Sequence, residues 1–374
     1  MESLQYSPFC PLNNVRQNIK VLVAPLDWGL GHATRCIPLI QSLLAAGYEV
    51  LLAGEGKQAA LLAAEFPQLT LLPLRGYRVT YSRRAWQLPF TLLGQLPAIW
   101  RTIRAENRWL REQVRQHNIQ LVISDNRYGL YHPDIPCAML THQLTIAVPI
   151  RILQNLLQQF HYKLLNRFSM VWVPDLAGSV NAAGLLSHPE TMPKVPVQYI
   201  GWLSRFHAAD KLPTYKYCVL LSGPEPQRTI LEEKLLSSFN KIHEKVLFIR
   251  GLPGEEDLPI TGKHIVCYNH LKEADLQTAL QEAEWVISRS GYTTVMELLS
   301  LQKKSILLPT PGQTEQAYLA KRLPALGWAF SADQENLQLE KVLKAAENFS
   351  FQTPPAGSFE SDKWLAEVKR LLSL

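Results

Sequence analysis

Side chains able to do chemistry gather at a few turns of this 374-residue chain. Within residues 285–320, an apolar run ends in Ser288 and gives way to Ser290-Gly291-Tyr292-Thr293-Thr294. A helical pattern follows, with Val295, Leu298 and Leu299 on one face. Glycine and hydroxyl residues at a helix N-terminus present free backbone N–H groups and the positive end of the helix dipole, which suits a phosphate. Glu297, one turn further in, is poorly placed for phosphate and better placed to accept bonds from ribose hydroxyls. A second apolar run, 305–308, stops at Pro309, and the polar loop Gly312-Gln313-Thr314-Glu315-Gln316 follows it. Near the N-terminus a turn ends in Gly29-Leu30-Gly31-His32, and an imidazole titrates in the range that proton transfer needs. Asp125 and His142 follow two other apolar runs. His142 could bind an acceptor, act as a base, or bond a loop carbonyl. Ser222-Gly223 offers close backbone approach and Arg228 offers charge for a diphosphate, although Pro226 also fits a plain helix start.

These residues need elements to carry them. Runs at 19–25, 48–53, 120–125, 135–140, 168–173 and 197–201 read as buried strands, and a helix over 33–46 ends at Gly47 as a C-cap glycine does. A second set of strands is expected at 217–221, 246–249 (ending at Arg250), 265–268, 285–288, 305–308 and 328–330. Strand, turn, helix, strand is the unit of a parallel sheet, whose ligands sit at the carboxyl ends of its strands. The length fits two α/β domains. We expect an N-terminal domain over 1–205, a linker over 206–214, a C-terminal domain over 215–358, and a terminal helix over 359–374 that can pack back on the first domain.

Residues 285–320 resemble the donor-binding signature of the MurG-like glycosyltransferases, the bacterial lipid II N-acetylglucosaminyltransferase group (family 28), in Ser290-Gly291, Thr294, Glu297, Pro309 and Gln316. The resemblance implies the GT-B fold, two Rossmann-like doubly wound domains facing a cleft. It implies that the turn from Ser290 through Gly291, Tyr292, Thr293 and Thr294 holds the diphosphate of a UDP-sugar, that Glu297 holds the ribose, and that Glu315 and Gln316 face the sugar, with Gln313 among the donor-binding residues. It places the uracil edge at Asn269, His270 and Leu271. Family members carry a glycine-rich turn ending in Gly-His on the acceptor side, which corresponds to Gly29, Gly31 and His32, with the histidine as proposed general base. In similar glycosyltransferases of the plant secondary-metabolite type a strand-end Asp orients that base. Asp125 fits this role, and a structural loop cap remains its alternative. The third glycine of a dinucleotide fingerprint would fall at Thr34, so that motif is absent. No Asp-x-Asp motif occurs. No metal or other cofactor is therefore expected, and Arg228 or Arg250 with the helix N-termini would meet the leaving charge.

The net charge of +6 and a pI near 9.0 point to an anionic partner without choosing one. Arg75, Arg78, Arg83 and Arg84 interleave with Tyr77, Tyr81 and Trp86. A helix is then expected with Leu92, Leu96, Ile99, Ile103, Leu110 and Val114 on one face, and Arg101, Arg104, Arg108, Arg111 and Arg115 beside it. Such a surface suits an anionic membrane, as in the MurG-like enzymes with their lipid-linked acceptor, or is simply a solvated basic face. A second amphipathic helix over 150–167 belongs to that surface or to the core. No nucleic-acid module accompanies the arginines. Five scattered cysteines without a Cys-x-x-Cys pair give no disulfide framework, and neither a signal peptide nor a spanning segment is read. A cytoplasmic protein is expected, peripheral at the membrane if the basic surface binds it. An inverting transfer from a UDP-sugar to an acceptor glycan or lipid-linked sugar is the leading expectation. A nucleotide-sugar epimerase of the same fold and a non-catalytic nucleotide-sugar-binding subunit are the alternatives.

Overall fold

The computed structural model describes residues 19–77, 88–146, 151–209 and 211–373, with only the backbone of 88–96 and 151–153. The segment holding Arg78, Tyr81, Arg83, Arg84 and Trp86 lies outside the described residues, as do the side chains of Leu92 and Leu96.

Two parallel sheets organise the chain. The first draws on β1 (Lys20–Ala24), β2 (Glu49–Gly54), β3 (Thr70–Pro73), β4 (Ile119–Asp125), β5 (Cys137–Leu140), β6 (Met170–Val173) and β7 (Val197–Tyr199). Their order is β3-β2-β1-β4-β5-β6-β7. The connecting helices are α1 (Leu30–Ala45), α2 (Gly56–Glu65), α3 (Leu88–His117) and α4 (Arg151–Leu165). The second sheet uses β8 (Tyr215–Leu220), β9 (Val246–Ile249), β10 (Ile265–Tyr268), β11 (Ala283–Ser288), β12 (Lys304–Leu307) and β13 (Phe330–Ser331), in the order β10-β9-β8-β11-β12-β13. Helices α5 (Gln227–Phe239), α6 (Glu273–Gln281), α7 (Tyr292–Ser300), α8 (Thr314–Ala325), α9 (Leu339–Glu347) and α10 (Ser361–Leu372) complete it.

Both sheets reverse direction of winding once, between β1 and β4 and between β8 and β11. A crevice opens where connections leave a sheet in opposite directions, and ligands of doubly wound sheets occupy it. The central strands are buried runs rather than alternating ones, because helices cover both faces. Val21, Leu22, Val23 and Ala24, for example, are fully buried.

The chain crosses between the sheets twice. Trp202 donates its backbone N–H to Gly357 O (2.7 Å), and Phe359 returns one to Trp202 O (3.1 Å). Gly201, at φ 80°, sits in this crossing, and a Cβ there would lie 2.9 Å from Ser358 O and 3.0 Å from Gly357 O. Helix α10 comes back onto the first sheet's layer: it packs against α1, and Trp364 meets Trp172 of β6 edge-on at 5.3 Å.

Candidate active site

Asp125 ends β4, and α1 begins just after β1, the strand paired beside it in register (Val23 with Ile123, Ala24 with Ser124). Adjacent strand ends therefore bring His32 and Asp125 to one crevice. Helix α1 starts at Leu30, earlier than residue 33, so His32 lies in its first turn. Gly29 caps it at φ 138°, a backbone state that costs glycine little, and open space lies where a Cβ would be. His32 Nδ1 lies 2.8 Å from Asp125 Oδ2. His32 keeps 18 % of its side chain exposed, while that of Asp125 is fully buried.

A third group, absent from the sequence reading, joins them. Arg35 is three residues beyond His32, on the same helix face. Its Nε lies 3.1 Å from both Asp125 oxygens, and its Nη2 also donates to Oδ1. Burial alone would raise the Asp125 carboxyl, but the charges of Arg35 and His32 outweigh it and hold the group below the ordinary carboxylate value. Burial, then the Arg35 charge, lowers His32 below 6.5, against the pull of Asp125. An imidazole so placed is neutral at pH 7 and free to accept a proton.

The second sheet presents the matching edge. Ser222-Gly223 follows β8, and Ser290-Gly291 follows β11 and caps α7, so both turns flank the second crevice. Gly223 (φ 110°) and Gly291 both face open space where a Cβ would stand. Thr293 Oγ1 donates to Gly31 O at 3.0 Å, and Tyr292 Oη donates to Pro174 O at 2.9 Å. Tyr292 also stacks on His142 at 4.1 Å. His142 Nε2 lies 3.1 Å from Glu315 Oε1, and Gln143 donates to Glu315 Oε2. The two crevices thus face each other in contact.

Several expected ligand groups are occupied by protein partners. Arg228 is buried between Glu225 and Glu232, and Arg250 bonds Glu232 and Asn269. Without a ligand, both charges are shared with protein carboxylates rather than turned toward the glycine turns. The reason is the carboxylate of Glu232, one turn along α5 from Arg228 and aimed at both. Asn269 also donates to the carbonyls of Glu255 (2.8 Å) and Asp257 (3.3 Å), while His270 is exposed beside Leu271. Glu297 is 5 % exposed and paired with Arg205 at 2.8 Å. Gln316 turns its side-chain oxygen onto Thr310 N (2.8 Å), and its carbonyl accepts from Ser290 Oγ (2.9 Å), so it ties the Ser290 turn to the loop after β12. Gln313 is the N-cap residue of α8.

Arg289, directly before the Ser290 turn, was not singled out by sequence. Among the described residues four arginines are buried, and Asp125, Glu106 and Glu232 neutralise Arg35, Arg127 and Arg228. Arg289, 1 % exposed, has no carboxylate partner among the described residues. It donates to the carbonyls of Leu308 (3.1 Å), Pro309 (3.2 Å) and Gln227 (2.7 Å), and its Nε is unpartnered. Burial lowers it to about 10. A buried charge without a counter-charge is costly, and it stands at the meeting point of three loops on the ligand edge.

Residues 230–358 match the glycosyltransferase family 28 C-terminal domain, over the segment that carries both β11 and the Ser290 turn. Residues 230–358 are thus similar to the C-terminal domain of the family 28 glycosyltransferases, and the chain as a whole has the GT-B fold. An uncharacterized glycosyltransferase of Methanosarcina acetivorans is 24% identical over 325 residues, covering 80% of this chain and 81% of that protein. The UDP-N-acetylglucosamine--N-acetylmuramyl-(pentapeptide) pyrophosphoryl-undecaprenol N-acetylglucosamine transferase of Natranaerobius thermophilus is 37% identical over 78 residues, 20% of this chain and 21% of that one. Among solved structures, the calicheamicin glycosyltransferase CalG4 superposes with a TM-score of 0.63 at 14% identity, covering 96% of this chain and 99% of that one. Acinetobacter baumannii MurG gives 0.56 at 13% identity, over 94% and 99%. These likenesses are in fold; the MurG-like resemblance of the donor stretch agrees with them. In this chain, sequence spacing pointed to His32 and Asp125, while Arg35 and Arg289 were hidden inside runs read as helix and turn.

Proposed function

We propose that this glycosyltransferase moves a hexose or N-acetylhexosamine from a UDP-sugar to an acceptor hydroxyl with inversion and without a metal ion. The observation that carries the reading is the His32–Asp125 contact on one crevice, opposite the open glycine turns on the other. His32 Nε2 takes the acceptor hydroxyl proton. The oxygen attacks the anomeric carbon, the bond from that carbon to the diphosphate oxygen breaks, and UDP leaves with the electron pair. One displacement inverts the anomeric centre. The diphosphate lies against Ser222-Gly223 and Ser290-Gly291, where helix N-termini and the unshared charge of Arg289 stabilise the leaving group. Glu297 holds the ribose after leaving Arg205, and Glu315 turns from His142 to the sugar, so donor binding opens and then recloses the crevice.

The acceptor side meets a basic surface. Arg101, Arg104, Arg108, Arg111 and Arg115 are exposed on α3. Trp100 packs on Phe160 of α4 at 5.7 Å, with Arg104 and Arg167 over its ring, and Leu156 and Phe160 are 61% and 44% exposed. No helix among the described residues is long and apolar enough to cross a membrane. We assign this patch to an anionic membrane surface that carries a lipid-linked acceptor.

Calorimetric titration of the wild type and Glu297→Ala with UDP, dTDP, GDP and a set of UDP-sugars tests the donor. Selective binding of UDP and one UDP-sugar, lost in the variant, is the expected outcome. Binding of another nucleotide with UDP ignored would overturn the uridine assignment.

A further inference from the structure

We propose that Arg35 is a positioning residue of the transfer reaction: it locks Asp125 and thereby sets the His32 tautomer that leaves Nε2 open to the acceptor hydroxyl. The inference rests on His32 being the base, as argued above.

The geometry poses a choice. His32 Nδ1 lies 2.8 Å from Asp125 Oδ2, which as a carboxylate only accepts, and 2.9 Å from Arg35 Nη2, which only donates. One ring nitrogen cannot serve both. If Arg35 donates to Nδ1, the proton of the neutral ring sits on Nε2 and the ring is no base toward the cleft. If Nδ1 donates to Asp125, Nε2 carries the lone pair. Arg35 decides between these by where its own hydrogens go. Its Nε and Nη2 both reach Asp125 in a fork, the arrangement in which guanidinium and carboxylate bond most strongly. Its Nη1 lies 3.4 Å from His142 Nδ1. The fork uses Nε and one Nη2 hydrogen; against the second Nη2 hydrogen, Asp125 Oδ2 is the closer partner of Nδ1 and carries the negative charge, so Nδ1 donates to it.

Charge acts in the same direction. A buried His beside a lone Asp is drawn toward the imidazolium, which cannot take another proton. Arg35 opposes this. The groups that face His32 are Arg35 on its own helix, Asp125 from β4, His142 from the loop after β5, and Glu315 from α8. Burial and Arg35 outweigh Asp125, so the His32 midpoint lies below 6.5. Since that midpoint is lowered, the base is present above it and is lost only as pH falls through it. Removing the Arg35 charge must move the midpoint up.

Ring-nitrogen NMR of the uniformly labelled full chain reads both properties without any substrate, with His32→Gln used to assign the signal. We expect the wild type to show the Nδ1–H tautomer and a midpoint below 6.5. In Arg35→Gln the midpoint should rise, and in Arg35→Lys, which keeps the charge, it should stay low. An unmoved or lowered midpoint in Arg35→Gln overturns the proposal. So does an Nε2–H tautomer in the wild type, a result that needs no variant to fold. Full turnover by His32→Ala in the transfer assay would instead remove the base assignment on which the proposal rests, whatever the spectra show.

Discussion

Replacing Asp125 by Asn separates the two tasks that this carboxylate performs. Asp125 is fully buried and Arg35 is 2% exposed, so the substitution leaves a guanidinium inside the protein without its counter-charge. Breaking a buried pair at one end costs about 3–5 kcal/mol. The amide oxygen of Asn still accepts one bond from Arg35, which places the loss near the lower end, at about 3 kcal/mol. A unit of about 200 residues loses roughly 2–4 °C of Tm per kcal/mol, so the first transition should drop by roughly 6–12 °C. Catalysis falls for a different reason: the amide cannot hold His32 in the Nδ1–H form, and acid–base catalysis of this kind is worth about 10²–10⁴ in rate. Calorimetric melting and initial rates, measured on the same preparation, give both numbers. The double variant Arg35→Met/Asp125→Leu then divides them. With neither charge buried, its melting temperature should return to the wild-type value or above it, because apolar replacement of a buried pair is often neutral or stabilising. Its activity should stay as low as that of Asp125→Asn. Wild-type melting of Asp125→Asn would refute the argument that this pair is the buried charge balance of the site. A double variant less stable than the single one would refute it too, and wild-type turnover of either would remove Asp125 from the reaction.

Arg289→Met should weaken UDP binding by about 10- to 100-fold, the worth of one charged hydrogen-bonding partner, while binding of uridine stays as it was. Equal losses for UDP and uridine in calorimetric titrations would mean that Arg289 only pins the loops of Gln227, Leu308 and Pro309. Replacing Arg101, Arg104 and Arg108 together by Ala should remove about 3 kcal/mol of attraction to an anionic bilayer, on the order of a hundredfold. Co-sedimentation with phosphatidylglycerol vesicles checks this, and equal binding of both proteins, or equal binding to neutral vesicles, would place the membrane contact elsewhere.

The strands, both glycine turns and the pairing of His32 with Asp125 were legible because each is a local signal. A buried parallel strand is a short apolar run, and its carboxyl end is wherever that run stops. Residues at those ends converge once the strand order is that of a doubly wound sheet, so Asp125 and His32 could be placed without any contact being known. The shorter elements β3 and α2, which extend the first sheet beyond β2, carried too weak a periodicity to mark, as did α6 and α9. The boundary of α1 was set three residues late, because two glycines at its start lower the apparent helix preference.

What sequence concealed is which charges cancel. Arg228 and Arg250 looked available because each follows a strand end or opens a helix, yet Glu232 faces both. Arg289 looked like an incidental residue between a strand and a turn, yet it has no carboxylate at all among the described residues. The Arg228–Glu232 pair is an i,i+4 contact that helical spacing could have suggested, whereas Arg250 meets Glu232 from another strand end and the surroundings of Arg289 combine loops as far apart as Gln227 and Pro309, which no spacing rule reports. Arg35 is the intermediate case. Its place three residues after His32 in an otherwise apolar helix is visible, and an arginine fully committed to that face needs a buried acceptor. Among the acids near strand ends, Asp125 is the one that terminates the strand paired beside β1. A search for cations inside apolar stripes, each matched to a strand-end acid, would have found the Arg35–Asp125 pair; the same search would have left Arg289 unmatched. An unmatched buried cation on the ligand edge is what an anionic donor requires.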